Sequence, residues 1–107
     1  MAAMDISKEQ FWELTDSDKP VLVDFWAPWC GYCRRIGAAY DSIAEVYKDR
    51  LIAVKINVDT EHPISTMEQI EVLPTLVLYR NGQAVDSIVA PESRSMIDRF
   101  VRSALEK

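Results

Sequence analysis

The sequence predicts an α/β fold: a mixed sheet with helices on both faces. Three observations lead there. Apolar runs at Val21–Trp26 and 51–58, the second rich in β-branched residues, read as strands covered on both sides. Stretches with apolar residues every three to four positions alternate with them. Asn81-Gly82, the strongest short-range hairpin signal, then stands between two further strand-like runs. A βαβ order followed by a hairpin combines parallel and antiparallel pairs in one sheet. The chain has 107 residues, enough for a single domain (1–107) with one real core.

The elements follow in order. A short strand is expected near Met4, Asp5 and Ile6, and it completes the first βαβ unit. Ser7-Lys8-Glu9-Gln10 fits a capping box, with Ile6 and Phe11 placed as a hydrophobic staple. That puts the first helix at 8–15. Pro20 ends the loop after it, and Val21–Trp26 is apolar on both faces apart from Asp24. From Cys33 onward, Ile36, Ala39, Tyr40, Ile43, Ala44 and Tyr47 mark an amphipathic helix. The second buried strand covers 51–58, and a short helix is expected over 63–70 with Pro63 in its first turn. Residues 75–79 and 84–89 form the hairpin. The last helix, 93–105, buries Met96, Ile97, Phe100, Val101, Ala104 and Leu105.

Composition excludes several functions. Hydrophobic residues make up 49% and charged residues 27%, as in an ordinary globular protein. No apolar run approaches the roughly 18 residues that span a membrane. The N-terminus carries no basic segment and no long apolar one, so a cytoplasmic location is expected. Net charge is −5 and the basic residues form no stripe, which argues against nucleic acid.

Chemistry concentrates at Trp29-Cys30-Gly31-Tyr32-Cys33, which holds both cysteines. A Cys-x-x-Cys between a strand and a helix suits the making and breaking of disulfides. The free N–H groups and partial positive charge of a helix N-terminus favour the thiolate, the form that attacks sulfur. Cys30 is therefore expected to be the exposed nucleophile, and Cys33, one turn further in, the shielded resolving thiol. Gly31 would permit a tight turn and the approach of a partner backbone. Arg34 and Arg35 add positive charge. Zinc takes four ligands, whereas this chain offers two Cys and one His, so a metal site within one chain is not expected. Asp24 is a lone acid in an apolar strand. Burial would raise its pKa and suit it to take the Cys33 proton. Two readings fit Lys55: a partner for Asp24, or a surface lysine with its stem laid on the sheet. Pro74 opens a strand, which periodicity alone does not make a cis bond.

Taken in order, these motifs resemble the thioredoxins from about Ile6 to Leu105. The carriers are Val23-Asp24-Phe25-Trp26-Ala27, Trp29-Cys30-Gly31-x-Cys33, Lys55-Ile56-Asn57-Val58-Asp59, Leu73-Pro74-Thr75 and Asn81-Gly82. The resemblance implies a thioredoxin fold, a five-stranded mixed sheet flanked by four helices. It implies a cis Pro74 beside the cysteines, Asp24 as the buried acid and Lys55 as its partner. Trp29, Gly31, Tyr32, Leu73, Pro74, Val89 and Ala90 then receive substrate. It further implies a monomer that reduces disulfides in client proteins and is recharged by a thioredoxin reductase, with no cofactor beyond the Cys30–Cys33 disulfide.

Three positions depart from the family. Tyr32 replaces a proline, and its free N–H is expected to stabilise the Cys30 thiolate and make the disulfide more oxidising. Ala38 replaces a kinking proline, so a straighter active-site helix is expected. Ala90 replaces a glycine, and its methyl should narrow the groove. Three functions follow: a disulfide reductase, a more oxidising oxidase or isomerase, and a binding subunit. The intact Cys30–Cys33 pair beside Asp24 speaks against the last.

Overall fold

β2 (Val21–Trp26) is buried along almost its whole length, so the other elements assemble around it. In the computed structural model, which describes residues 3–107, it pairs in parallel with β3 (Ile52–Asn57) and antiparallel with β4 (Thr75–Arg80). β1 (Met4–Asp5) adds to the outer edge of β3, and β5 (Gln83–Val89) to that of β4. The result is a five-stranded mixed sheet in the order β1-β3-β2-β4-β5. Met1 and Ala2 lie outside the described residues.

Side-chain alternation sorts the sheet into two faces. Val21, Val23 and Phe25 join Val54, Ile56, Val77 and Tyr79 in one core cluster, together with Phe11 of α1 (Lys8–Thr15) and Ile64 of α4 (Ile64–Met67). Leu22, Leu76 and Leu78 form the other cluster. It is closed by Tyr40 and Ile43 of α3 (Gly37–Val46) and by Ile97 and Val101 of α5 (Arg94–Leu105). The hydroxyl of Tyr40 reaches the carbonyls of Leu22 and Val54 at 3.1 and 2.7 Å, tying α3 to β2 and β3.

The local signals act as their chemistry requires. Ser7 Oγ accepts from Gln10 N–H at 3.1 Å, and Gln10 Oε1 accepts from Ser7 N–H at 2.9 Å, so the capping box is complete. Asn81 and Gly82 take φ of 56° and 76°, the two left-handed residues of the tight hairpin turn. Ser93 caps α5 through Met96 N–H at 3.2 Å.

Two expectations are corrected. The active-site helix does not run straight. It divides into α2 (Gly31–Arg35) and α3 at Ile36, with φ −89° and ψ 0°, which makes five helical segments rather than four. Gly37 follows the break directly. Glycine has poor helix propensity, so the helix is weak at this junction without the proline that Ala38 replaces. α4 is a single turn, not 63–70. Pro63 caps it from outside, and Gln69 turns to φ 58°, which a continuing helix does not allow.

Candidate functional site

β2 ends at Trp26, and residues 27–30 turn the chain into α2. Cys30 N–H donates to Ala27 carbonyl at 3.1 Å, which closes that turn. Cys30 is the N-cap residue of α2, with φ −84° and ψ 103°, and its Sγ accepts from Cys33 N–H at 3.1 Å. Sulfur therefore occupies the place where a serine or aspartate oxygen normally caps a helix. Cys30 and Cys33 form a disulfide, with Cα atoms 5.3 Å apart.

Two sequence expectations change here. Cys30 is 7% exposed and Cys33 4%, so the expected contrast is absent in the disulfide form. The bond turns both sulfurs into the cluster that holds Phe25, Ala27 and Ile64. The backbone donor on Cys30 Sγ is Cys33, not Tyr32. The effect expected of the Tyr32 N–H concerns the Cys30 thiolate, a species of the reduced protein. Gly31 has no positive φ and lies in helical backbone, so the turn itself does not demand glycine. A Cβ there would meet nothing within 4 Å, and the surface above it is open.

Hydrogen bonds join the loop before β4, the loop after β5 and Tyr32 of α2. Leu73–Pro74 is a cis peptide bond, and the Pro74 carbonyl accepts from Ala90 N–H at 2.8 Å. Ala90 takes φ 46°, a conformation that costs a non-glycine residue about 1 kcal/mol. The Tyr32 hydroxyl donates to Pro91 carbonyl at 3.0 Å, and Arg35 lies 5.9 Å from the Tyr32 ring centroid. Trp29 is 69% exposed and Val89 52%, while Tyr32 and Leu73 are half-buried. Arg34 turns away and donates to Pro28 carbonyl at 3.0 Å.

Asp24 of β2 is 2% exposed, with Oδ1 free of any hydrogen bond among the described residues. Burial pushes its pKa up to about 7; the Lys55 charge opposes this, and Asp5 and Asp41 add to it. In-register pairing places Lys55 beside Asp24. Lys55 nonetheless makes no ion pair with it: its ammonium lies 5.3 Å from the Trp26 ring centroid. The Lys55 charge still acts on Asp24, lowering its pKa against the effect of burial.

Sequence reasoning missed Asp5, Tyr40 and Pro91. Asp5 Oδ1 accepts from Trp26 indole N–H at 2.7 Å. Local sequence marks Asp5 only as strand and Tyr40 only as a helix core position, because the partner of each is distant in the chain. His62 is exposed, and among the described residues no group of three or more His, Cys, Asp or Glu is placed to hold a metal.

A redox disulfide at a strand–turn–helix junction, in a fold that also holds a cis Leu73–Pro74 bond and a buried acid, defines a thiol-disulfide oxidoreductase. Comparison with known proteins agrees. The Thioredoxin family model matches residues 2–103. Thioredoxin 1 of Nostoc sp. is 39% identical over 93 residues, 87% of each chain. The thioredoxin of Griffithsia pacifica is 49% identical over 77 residues, covering 72% of this chain and 71% of its own. A solved thioredoxin of Malassezia sympodialis superposes with a TM-score of 0.88 at 33% identity, covering 97% of this chain and 91% of that one. The chain belongs to the thioredoxin family. It is a protein-disulfide reductase that works by dithiol–disulfide exchange through Cys30 and Cys33.

Proposed function

We propose that Cys30 attacks and Cys33 resolves, with Asp24 as the proton acceptor between the two steps. The observation that carries this reading is the hydrogen bond from Cys33 N–H to Cys30 Sγ at 3.1 Å. It places a backbone donor on Cys30 Sγ, where a thiolate stands once the disulfide is reduced. In the reduced protein, the Cys30 thiolate attacks one sulfur of a client disulfide. A Cys30–client bond forms, the client S–S bond breaks, and the second client sulfur leaves as a thiolate that takes up a proton. Asp24 accepts the Cys33 proton. The Cys33 thiolate then attacks Cys30 Sγ, and the first client sulfur leaves with the electron pair of the mixed disulfide and is protonated. The client gains two electrons and two protons, and Cys30–Cys33 is oxidised.

Trp29, Gly31, Tyr32, Leu73, Pro74, Val89 and Ala90 receive the client segment that flanks the disulfide. The clients are disulfide-containing proteins, and a thioredoxin reductase returns electrons to Cys30–Cys33. The chain acts as a single-domain monomer in the cytoplasm, carrying electrons from reductase to client. Lys55 modulates Asp24 by its charge.

Three experiments test this reading. Equilibration against a glutathione redox buffer should give a potential in the reducing range of about −270 mV typical of thioredoxin. A value near −120 mV would instead make the protein an oxidant. Cys30→Ser should abolish turnover, whereas Cys33→Ser should accumulate mixed disulfides through Cys30. Faster alkylation of Cys33 than of Cys30 in the reduced protein would reverse the assignment.

A further inference from the structure

A row of charge crosses the sheet at one level. Strand pairing sets Asp24 of β2 beside Lys55 of β3, and Lys55 beside Asp5 of β1. Residues paired in register project from the same face. Lys55 is therefore flanked by a carboxyl group on either side. Among the described residues it closes an ion pair within 4 Å with neither. Its ammonium rests 5.3 Å from the Trp26 ring centroid instead. Trp26 is held from the sheet edge by its indole N–H, which donates to Asp5 Oδ1 at 2.7 Å. A bond to an ionised acceptor is among the stronger hydrogen bonds, so it fixes the ring on which the ammonium rests.

We propose that Asp5 is a positioning residue for the resolving step: through Trp26 it sets where the Lys55 ammonium rests relative to the buried Asp24 carboxyl. The proposal rests on the reading of Asp24 as proton acceptor. The groups facing Asp24 are few. β3 contributes Lys55, β1 contributes Asp5, and α3 contributes Asp41 and the Tyr40 phenol. β4 places apolar Leu76 beside it, and α5 covers this face with Ile97 and Val101. Lys55 is the one cation in this set, and it hangs on a flexible four-carbon stem. With the indole released, the ammonium is free to approach Asp24, the remaining carboxyl group in its row. Removing Asp5 also removes a negative charge that opposes ionisation of Asp24. Both effects favour the ionised acid, so the group becomes an available base at lower pH.

The test is the pH profile of single-turnover reduction of a client disulfide, measured on the full chain. In Asp5→Ala the midpoint should move to lower pH, raising the rate at pH 6 about two- to threefold and leaving little gain at pH 8. Asp5→Asn keeps an oxygen to accept the indole N–H but loses the charge, so its midpoint should move less. Carbon-13 titration of the Asp24 carboxyl should give the same order. An unmoved midpoint and an unmoved carboxyl titration in folded Asp5→Ala overturn the proposal. Equal shifts in both variants also overturn it, since charge alone would then account for the effect. Asp24→Asn separates the two levels. If it leaves the profile unchanged, the reading of Asp24 fails and the Asp5 proposal with it. If it flattens the profile while Asp5→Ala does not move it, only the Asp5 proposal fails.

Discussion

Asp24 carries its ionisation into a place where water does not reach. With a folded-state pKa near 7 against 3.8 for the free side chain, the fold favours the protonated acid. The stability this provides is full below pH 4 and is lost as pH rises through about 7. Asp24→Asn should remove that slope. It should be roughly 2–4 kcal/mol more stable than the parent at pH 8 and close to it at pH 4. Urea unfolding at the two pH values measures this, and a variant less stable at pH 8 would make the carboxylate a structural group. The same substitution should slow resolution of the mixed disulfide. The Tyr32 side chain is anchored away from the sulfurs' backbone donor: its hydroxyl bonds Pro91 carbonyl, and its ring meets Arg35. Tyr32→Phe should therefore change the potential by less than about 10 mV, a twofold change in equilibrium constant. KM for bulky clients should shift instead. A larger change in potential would place the hydroxyl in control of the sulfurs.

Two glycines show how an element reads the same residue differently. Gly37 opens α3 directly after the break at Ile36, has no positive φ, and a Cβ there would meet nothing within 4 Å. Gly82 ends the hairpin turn at φ 76°. Gly37→Ala should stabilise by about 0.5–1 kcal/mol, through helix propensity and a stiffer unfolded chain. Gly82→Ala should destabilise by about 1–2 kcal/mol, because an L side chain is strained at that φ. Thermal unfolding of the pair checks both signs. A destabilised Gly37→Ala would mean that the break is imposed by packing around Ile36 rather than by weak propensity at Gly37.

Across the whole molecule, the second core cluster and the acid site depend on each other. Ile97 is fully buried on the face of the sheet that carries Asp24. Ile97→Ala should cost about 2–5 kcal/mol by opening a cavity in that cluster. The looser cover should also admit water and bring the Asp24 pKa down. Denaturant unfolding and the pH profile of disulfide exchange should move together. Loss of stability with no movement of the profile would show that α5 does not control the dielectric around Asp24.

The sequence by itself determined much of this protein. Val21–Trp26 is apolar at every position but one, Ser7 and Gln10 stand at capping-box spacing, and Asn81-Gly82 admits both left-handed residues of a tight turn. Such signals are local, so they survive without knowledge of the rest of the chain. Cys30 and Cys33 were legible for the same reason, as a strand, a turn and a helix start adjoin in sequence. Only the tertiary structure decided the surroundings. The break at Ile36 depends on how weak propensity at Gly37 balances packing on either side. The inward turn of both sulfurs depends on the cluster beneath them. Asp5 reaches Trp26 across 21 positions and Tyr32 reaches Pro91 across 59. Contacts of that separation carry no period and no motif; they exist because strand register and loop closure bring distant residues to one place.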